Sequence, residues 1–312
     1  MSNFKVYYPQ DEYTDKRPLA IALGNFDGVH IGHAELIKHT VNAKEKGLVP
    51  ATVIFEEDPE NFLAGSVVSP RITDNAEKAK ILESLGIETV IYISFPQTRN
   101  LSPEEFVDML LKKYNTKLLV CGFHYHFGKY AKGNASLLKE LCKNSGIGCI
   151  CVDAVVKDEL VVSSTLIRGF IAAGEVEKAS AFLGRNFSVT GKVLEGKKLG
   201  RTLGFPTINQ PIDELGVIPK RGVYITRVLV NGRWYGGVTN VGVRPTVEST
   251  LKVNVETNIL GIDEDLYGQT LRVEFIKMLR KEKKFASVEE LKETVLADRE
   301  KAQKFFEKTI YN

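Results

Sequence analysis

The spacing of apolar residues changes period once along this chain, and that change constrains the fold more than any other feature. From Leu19 to about Ala181 short apolar runs alternate with stretches of helical spacing: AIALG, AELIKHTVNAKEKG, VPATVIFE, NAEKAKILESLG, TVIYISF, SPEEFVDMLLKKY and KLLVCGF follow in turn. Runs that are apolar on both faces, separated by helices, predict β-α-β units and therefore a doubly wound parallel sheet. Ser102, Pro103 and Glu105 have the spacing of a capping box with proline at the first helical position, which fixes one helix start. After Leu183-Gly184-Arg185 the residues alternate instead. RGVYITRVLV and RWYGGVTNVG flank Asn231-Gly232, a type I′ hairpin signal, and LKVNVETNIL and TLRVEFIKML continue the alternation. This half predicts an antiparallel β-barrel or sandwich, followed by a helix that opens with Ser287 and Glu290. A length of 312 residues is long for one core, so the reading is two domains, 1–183 and 186–312.

Charge excludes some partners. Lysine and arginine total 42 against 39 acidic residues, a net +3 that implies neither a nucleic-acid nor a membrane partner. Any anion must be held by local groups. The opening MSNFKVYYPQDEYTDKRP has no apolar core of signal-peptide length, and no later run approaches the roughly 18 apolar residues of a membrane span. Cys121, Cys142, Cys149 and Cys151 show no CxxC spacing, which reads as free thiols in a reducing compartment and a cytoplasmic protein.

The stretch GNFDGVHIGH, Gly24 to His33, follows the first apolar run and carries two of the five histidines. A loop leaving a parallel strand and entering a helix presents backbone N–H groups and a positive dipole end, which attract phosphate. With a helix starting near His30, both imidazoles lie on one face of its first turn. The pair by itself also fits a helix cap. A second candidate is SSTLIR: Ser163, Ser164 and Thr165 can cap a helix, with Arg168 one turn further in.

These residues resemble a known family. GNFDGVHIGH matches the signature of HxGH-class nucleotidyltransferases, and LSPEEFV, CGFHYHFGKYAKGN and SSTLIRGFIAAGEVEKA resemble the adenylyltransferase half of bacterial bifunctional riboflavin kinase/FAD synthetases. GKVLEGKKLGRTLGFPTIN, GVYI, GVTNVGVRPTV, VETNIL, DLYG and LRKEKKFASVEELKETVLADREKA are similar to the riboflavin kinase half, in the same order. The resemblance implies two ATP-dependent reactions with Mg²⁺: riboflavin to FMN, then FMN to FAD and pyrophosphate. For the second, it implies that Gly24, Asn25, Phe26, Asp27, Gly28, His30, His33, Ser163, Ser164 and Thr165 hold the nucleotide. Arg168 would neutralise the charge that builds during attack, and His124 and Phe127 would meet the flavin.

For the first reaction the acceptor is a neutral hydroxyl, so a carboxylate base is useful. Glu256 is the candidate, because alternation in KVNVETNIL sets Asn254, Glu256 and Asn258 on the face opposite Val253, Val255 and Thr257. Gly196, Gly200, Arg201, Gly204, Pro206 and Asn209 are expected around the nucleotide and Thr207 and Asn209 at Mg²⁺, and the resemblance implies Arg280 at the flavin.

Two departures stand out. The loop CGFHYHFGKYAKGN has His124 and His126, with Ala131 where the family often has arginine. Glu57-Asp58-Pro59 stands where Pro-His-Pro is common, an expected loss of one cation and one rigid turn. Rival readings are a riboflavin kinase whose first half has lost adenylyl transfer, a flavin-binding regulator, and a cytidylyltransferase. The sequence sets no oligomeric state and allows a homo-oligomer.

Overall fold

The computed structural model describes residues 4–195, 204–245, 251–262 and 264–310. Contact density divides the chain into two compact units, Met1–Ser164 and Thr165–Asn312.

The first unit is built on β1 (Lys5–Tyr7), β2 (Leu19–Leu23), β3 (Val49–Phe55), β4 (Thr89–Ile93), β5 (Thr116–Gly122) and a strand at Gly148–Val152, which is β8 once the ribbon β6 (His126–Phe127) with β7 (Gly133–Asn134) is counted. The sheet order is β1-β4-β3-β2-β5-β8, and every pair is parallel. The helices are α1 (Ile31–Asn42), α2 (Pro59–Ala64), α3 (Asn75–Ser84), α4 (Phe95–Thr98), α5 (Pro103–Tyr114) and α6 (Ala135–Asn144). The sheet is doubly wound, as the sequence predicts. β2 is buried at every residue and serves two cores. Leu19, Ile21 and Leu23 pack with Phe106, Leu110 and Leu138 of α5 and α6, whereas Ala22 packs with Leu36 and Ile37 of α1 and Leu82 of α3.

The chain runs from β2 through β3 to β4 on one side, then returns to β5 on the other side of β2. The carboxyl ends of β2 and β5 therefore flank a topological switch point, where open α/β sheets place their ligands. The turn from Gly24 to His33 leaves β2 there, and the loop from Phe123 leaves β5 there. Ser102 caps α5 in the predicted box, accepting from Glu105 N at 3.2 Å while its own N donates to Glu105 Oε2 at 2.7 Å. A second small ribbon, β9 (Val156–Lys157) with β10 (Leu160–Val161), follows β8.

The second unit starts with α7 (Ser164–Ala173) and α8 (Val176–Leu183) and continues as β11 (Phe187–Lys192), β12 (Ile208–Pro211), β13 (Gly222–Val230), β14 (Arg233–Pro245), β15 (Leu251–Ile259), β16 (Thr270–Lys281) and α9 (Val288–Ile310). The strands form one antiparallel sheet in the order β11-β16-β13-β14-β15-β12. Its two edges meet. Leu194 and Asn209 form a bridge, and the buried Gln210 amide on β12 donates to Gly191 O at 2.7 Å and Leu271 O at 2.8 Å. These contacts nearly close the sheet, making it a barrel rather than a sandwich. The predicted hairpin is present, with Asn231 and Gly232 at φ 49° and 79°. Outside the wall, Ala302, Phe305 and Phe306 of α9 cover Val223, Ile225 and Val238. Gly236 allows that approach: a Cβ there would lie 2.6 Å from the Phe306 ring.

Candidate functional sites

In the first unit the glycine turn is a strained piece of backbone held from several directions. Phe26 and Val29 lie in the left-handed region at φ 50° and 38°, with Gly28 between them at 75°. A β-branched residue there costs of order 1–3 kcal/mol, and such a conformation persists only when its surroundings over-determine it. Here they do. Asp27 is buried, and its Oδ1 accepts from Ile72 N at 2.8 Å and Thr73 N at 3.3 Å, while Gly28 N donates to Thr73 Oγ1 at 3.2 Å. Ser164 Oγ donates to Asp27 O at 2.8 Å, and Asn25 Nδ2 donates to Asp58 Oδ2 at 3.0 Å.

His30 is the N-cap of α1, its Nδ1 accepting from His33 N at 3.2 Å. An imidazole that accepts at Nδ1 carries its proton on Nε2 when neutral, so His30 is a donor at that atom in either protonation state. The two rings stack at 3.6 Å, with 11° between their planes. Gly32 makes room for this arrangement, since a Cβ would sit 3.2 Å from the His30 ring. Both histidines thus share the first turn of α1, as their spacing predicts.

Other expectations meet a different geometry. Ser164 is the first residue of α7, and its hydroxyl donates to the Asp27 carbonyl. Thr165 Oγ1 lies 3.5 Å from Arg168 Nη1, with Arg168 one turn into the helix. The expectation that Phe127 lines a ligand wall is corrected by its burial. Its ring packs on Phe106 and Tyr125, and Gly133 lies so close that a Cβ would meet it at 2.7 Å. Phe123 is the exposed aromatic of that series, against His124 at 3.6 Å between centroids. The expected loss of a rigid turn at Glu57-Asp58-Pro59 is also corrected. Asp58 caps α2 by accepting from Asn61 N at 3.0 Å, Pro59 stands in its first turn, and Glu57 accepts from Phe95 N at 2.9 Å.

Sequence reading missed Lys78. It is buried on α3, four residues before the equally buried Leu82, and its Nζ donates to Asn25 O at 3.0 Å. A lysine on the inward stripe of a helix is the signal that was there to be read. Burial pushes its ammonium down to about 8, against the partial support of Asp27, Asp58 and Asp74.

The second unit holds a cavity of about 220 Å³ between the barrel wall and α9. Its polar lining includes Thr207, Asn240, Glu256, Asn258, Arg280 and Asp298. Register explains the cluster. Glu256 on β15 stands opposite Asn240 on β14 and Asn209 on β12, so alternation brings three polar side chains to one place. Asn254 Nδ2 donates to Asn209 Oδ1 at 3.0 Å and lies 3.4 Å from Glu256 Oε1. Asn258 Nδ2 donates to Pro206 O at 2.7 Å, tying the Phe205-Pro206-Thr207 segment to β15. Gly204, ahead of it, is at φ 86°, a value that suits glycine. Gly196, Gly200 and Arg201 lie outside the described residues.

Arg280, which sequence alone places in an exposed basic run, is instead paired with a buried acid. Its Nε donates to Asp298 Oδ2 at 2.8 Å, and the Asp298 side chain is only 2% exposed. Asp298 was also missed. It sits on α9 among Leu291, Val295 and Ala302, which share its inward stripe at three- and four-residue steps, and an acid in an apolar stripe needs a partner.

A dipole-fed anion turn and a carboxylate facing a cavity are both devices for handling phosphate, and this chain has one in each unit. That pairing suits a two-site transferase of phosphorus-containing groups. A family model described as FAD synthetase matches residues 12–166, and one described as riboflavin kinase matches 183–306. The chain is 32% identical to a bifunctional riboflavin kinase/FMN adenylyltransferase of Bacillus subtilis, covering 98% of each chain. It is 38% identical to one of Pseudomonas fluorescens, covering 91% of this chain and 92% of that one. The crystal structure of a protein named as a macrolide-efflux protein from Streptococcus pneumoniae superposes with a TM-score of 0.85 at 30% identity, covering 96% of this chain and 98% of that one. The chain belongs to the bifunctional riboflavin kinase/FMN adenylyltransferase family. Among the described residues no helix is long and apolar enough to cross a membrane.

Proposed function

We propose that this protein phosphorylates riboflavin to FMN in its barrel and adenylylates FMN to FAD in its parallel-sheet half, consuming ATP in both steps. The observation that carries the reading is full-length similarity to bifunctional enzymes, supported by a two-histidine helix start in one half and a carboxylate-lined cavity in the other. This favours the bifunctional reading over a kinase with an idle first domain. We assign residues 1–183 to adenylyl transfer and 186–312 to the kinase, in a cytoplasmic enzyme.

In adenylyl transfer a phosphate oxygen of FMN attacks the α-phosphorus of ATP, the new P–O bond forms, and pyrophosphate leaves. The nucleophile is already anionic, so the protein supplies position and positive charge rather than a base. The backbone of Gly24 to Gly28, with Nε2 of His30 and the His33 ring, holds the triphosphate. Ser163, Ser164 and Thr165 frame the start of α7, and Arg168 one turn along that helix offsets the charge that develops. Phe123 and His124 are the flavin wall in this reading, with Phe127 supporting them from the core.

In the kinase step the riboflavin hydroxyl attacks the γ-phosphorus of ATP and ADP leaves. Glu256 takes the hydroxyl proton, and Arg280, fixed by Asp298, faces the flavin. The nucleotide meets Gly204 and Pro206 together with Gly196, Gly200 and Arg201. The donor set suits Mg²⁺. Among the described residues no cluster of three or more His, Cys, Asp or Glu could hold a metal, whereas the Thr207 hydroxyl, which lines the cavity with Glu256, and the Asn209 amide oxygen, which also accepts from Asn254 and stands opposite Glu256 in register, are hard donors. An ion that keeps its waters and binds mainly through substrate phosphates needs no more, and when bound it neutralises charge on the β- and γ-phosphates.

The test is chromatography of products from the purified protein with Mg²⁺ and ATP, given riboflavin in one tube and FMN in another. FAD from both is expected. FMN from riboflavin, with no FAD in either tube, would overturn the adenylyltransferase half.

A further inference from the structure

We infer that Lys78 is the positioning residue of the adenylyl-transfer turn: its ammonium fixes the Asn25–Phe26 peptide so that the turn presents its N–H edge and a buried positive charge to the ATP phosphates. This rests on the proposed reading of that turn.

Three observations carry it. The first is reach. Lys78 Nζ donates to Asn25 O at 3.0 Å across 53 positions of sequence, from a side chain that is itself buried. The second is peptide geometry. A trans peptide points its C=O and N–H in opposite directions, so holding the Asn25 carbonyl toward Lys78 turns the Phe26 N–H away from it. Because Phe26 is at φ 50°, the unit is not in a relaxed minimum and needs such a hold. The same segment grips the turn twice more, through Ile72 N and Thr73 N to Asp27 and through Thr73 Oγ1 to Gly28. Residues 72–78 thus form a clamp, and Lys78 is its charged member.

The third observation is electrostatic. The groups that face Lys78 are Asp27 from the turn, Arg71 from the segment before α3, Asp58 from the start of α2 and Asp74 from the cap of α3. Asp27, Asp58 and Asp74 each accept backbone N–H or amide bonds, so part of their charge is already answered elsewhere. Burial lowers the Lys78 ammonium to about 8 despite them. A triphosphate arriving nearby favours the protonated form, so nucleotide binding and protonation of Lys78 are linked. The proton is lost as pH rises through about 8, and ATP binding at this turn weakens over the same interval.

The experiment compares the full-length protein with Lys78→Met and Lys78→Arg between pH 7 and 9.5, measuring KM for ATP and for FMN in FAD formation. Riboflavin phosphorylation and a thermal melt are recorded on each preparation. For Lys78→Met the expected result is a KM for ATP raised about tenfold at pH 7, as for loss of one charged hydrogen bond, and flat across the range. The KM for FMN and the kinase rate stay unchanged. In the unaltered protein the KM for ATP rises above pH 8, and Lys78→Arg carries the low value to higher pH. Equal values and equal pH profiles in all three proteins, with FAD made by each, would overturn the inference while leaving the functional reading intact. A Lys78→Met protein that melts early while Lys78→Arg matches the unaltered pH profile would also overturn it, by reducing the residue to a structural cation. No FAD from the unaltered protein would remove the functional reading and this inference together.

Discussion

The two sites solve related problems with different materials. The adenylyl-transfer turn is a short strained loop, with Phe26 and Val29 in left-handed backbone, clamped by residues 45 to 137 positions away in the chain. The kinase cavity is unstrained by comparison: its polar groups come from successive strands in register, at positions the sheet would occupy anyway. In the proposed reading the contrast follows from the nucleophiles. A phosphate that is already an anion needs dense backbone donors and imidazoles, and only a tight turn packs them closely. A neutral hydroxyl needs one carboxylate, and a strand face supplies it without distortion.

If that division is right, the two activities come apart under mutation. Glu256→Gln has the largest expected effect: riboflavin phosphorylation falls by about 10²–10⁴-fold, with FAD formation from FMN unchanged, as read by product chromatography on each substrate. Next, His30→Ala lowers FAD formation from FMN by about 10²–10³-fold, the scale of a lost preorganised donor, and leaves the kinase rate alone. Asp298→Ala sharpens the comparison from the other side. It strands the Arg280 guanidinium in a largely buried setting, so the KM for riboflavin rises and the melt shows a loss of about 3 kcal/mol. The smallest effect is expected inside the barrel. Thr226, Thr239 and Thr257 form a buried hydroxyl chain with steps of 2.7 and 2.8 Å. Thr239→Val removes the middle link at a cost of about 1–2 kcal/mol in a denaturant titration, with both activities retained.

Features set by neighbours along the chain were legible in the sequence. The period change gave both sheets, the Ser102 box gave the start of α5, Asn231-Gly232 gave the hairpin, and alternation gave the face of Glu256. The histidine spacing gave a shared helical turn, though not the stack or the use of His30 Nδ1 as a cap. What stayed hidden depends on partners distant in sequence. Lys78 and Asp298 escaped notice because their partners, the Asn25 carbonyl and Arg280, are identified only by the folded chain. The resemblance placed Phe127 at the flavin, and only the folded chain shows its ring packed in the core on Phe106 and Tyr125. Barrel closure through Gln210 was invisible for the same reason: one glutamine in a β-rich half gives no sign that it joins two edges.

The most direct test of two independent sites on one chain is to supply Glu256→Gln protein with Mg²⁺, ATP and either riboflavin or FMN, then separate the products. The account predicts FAD from FMN at the rate of the unaltered protein and almost no FMN or FAD from riboflavin. FAD from riboflavin at the unaltered rate would contradict the role given to Glu256. Loss of FAD from FMN as well would contradict the separation of the two sites.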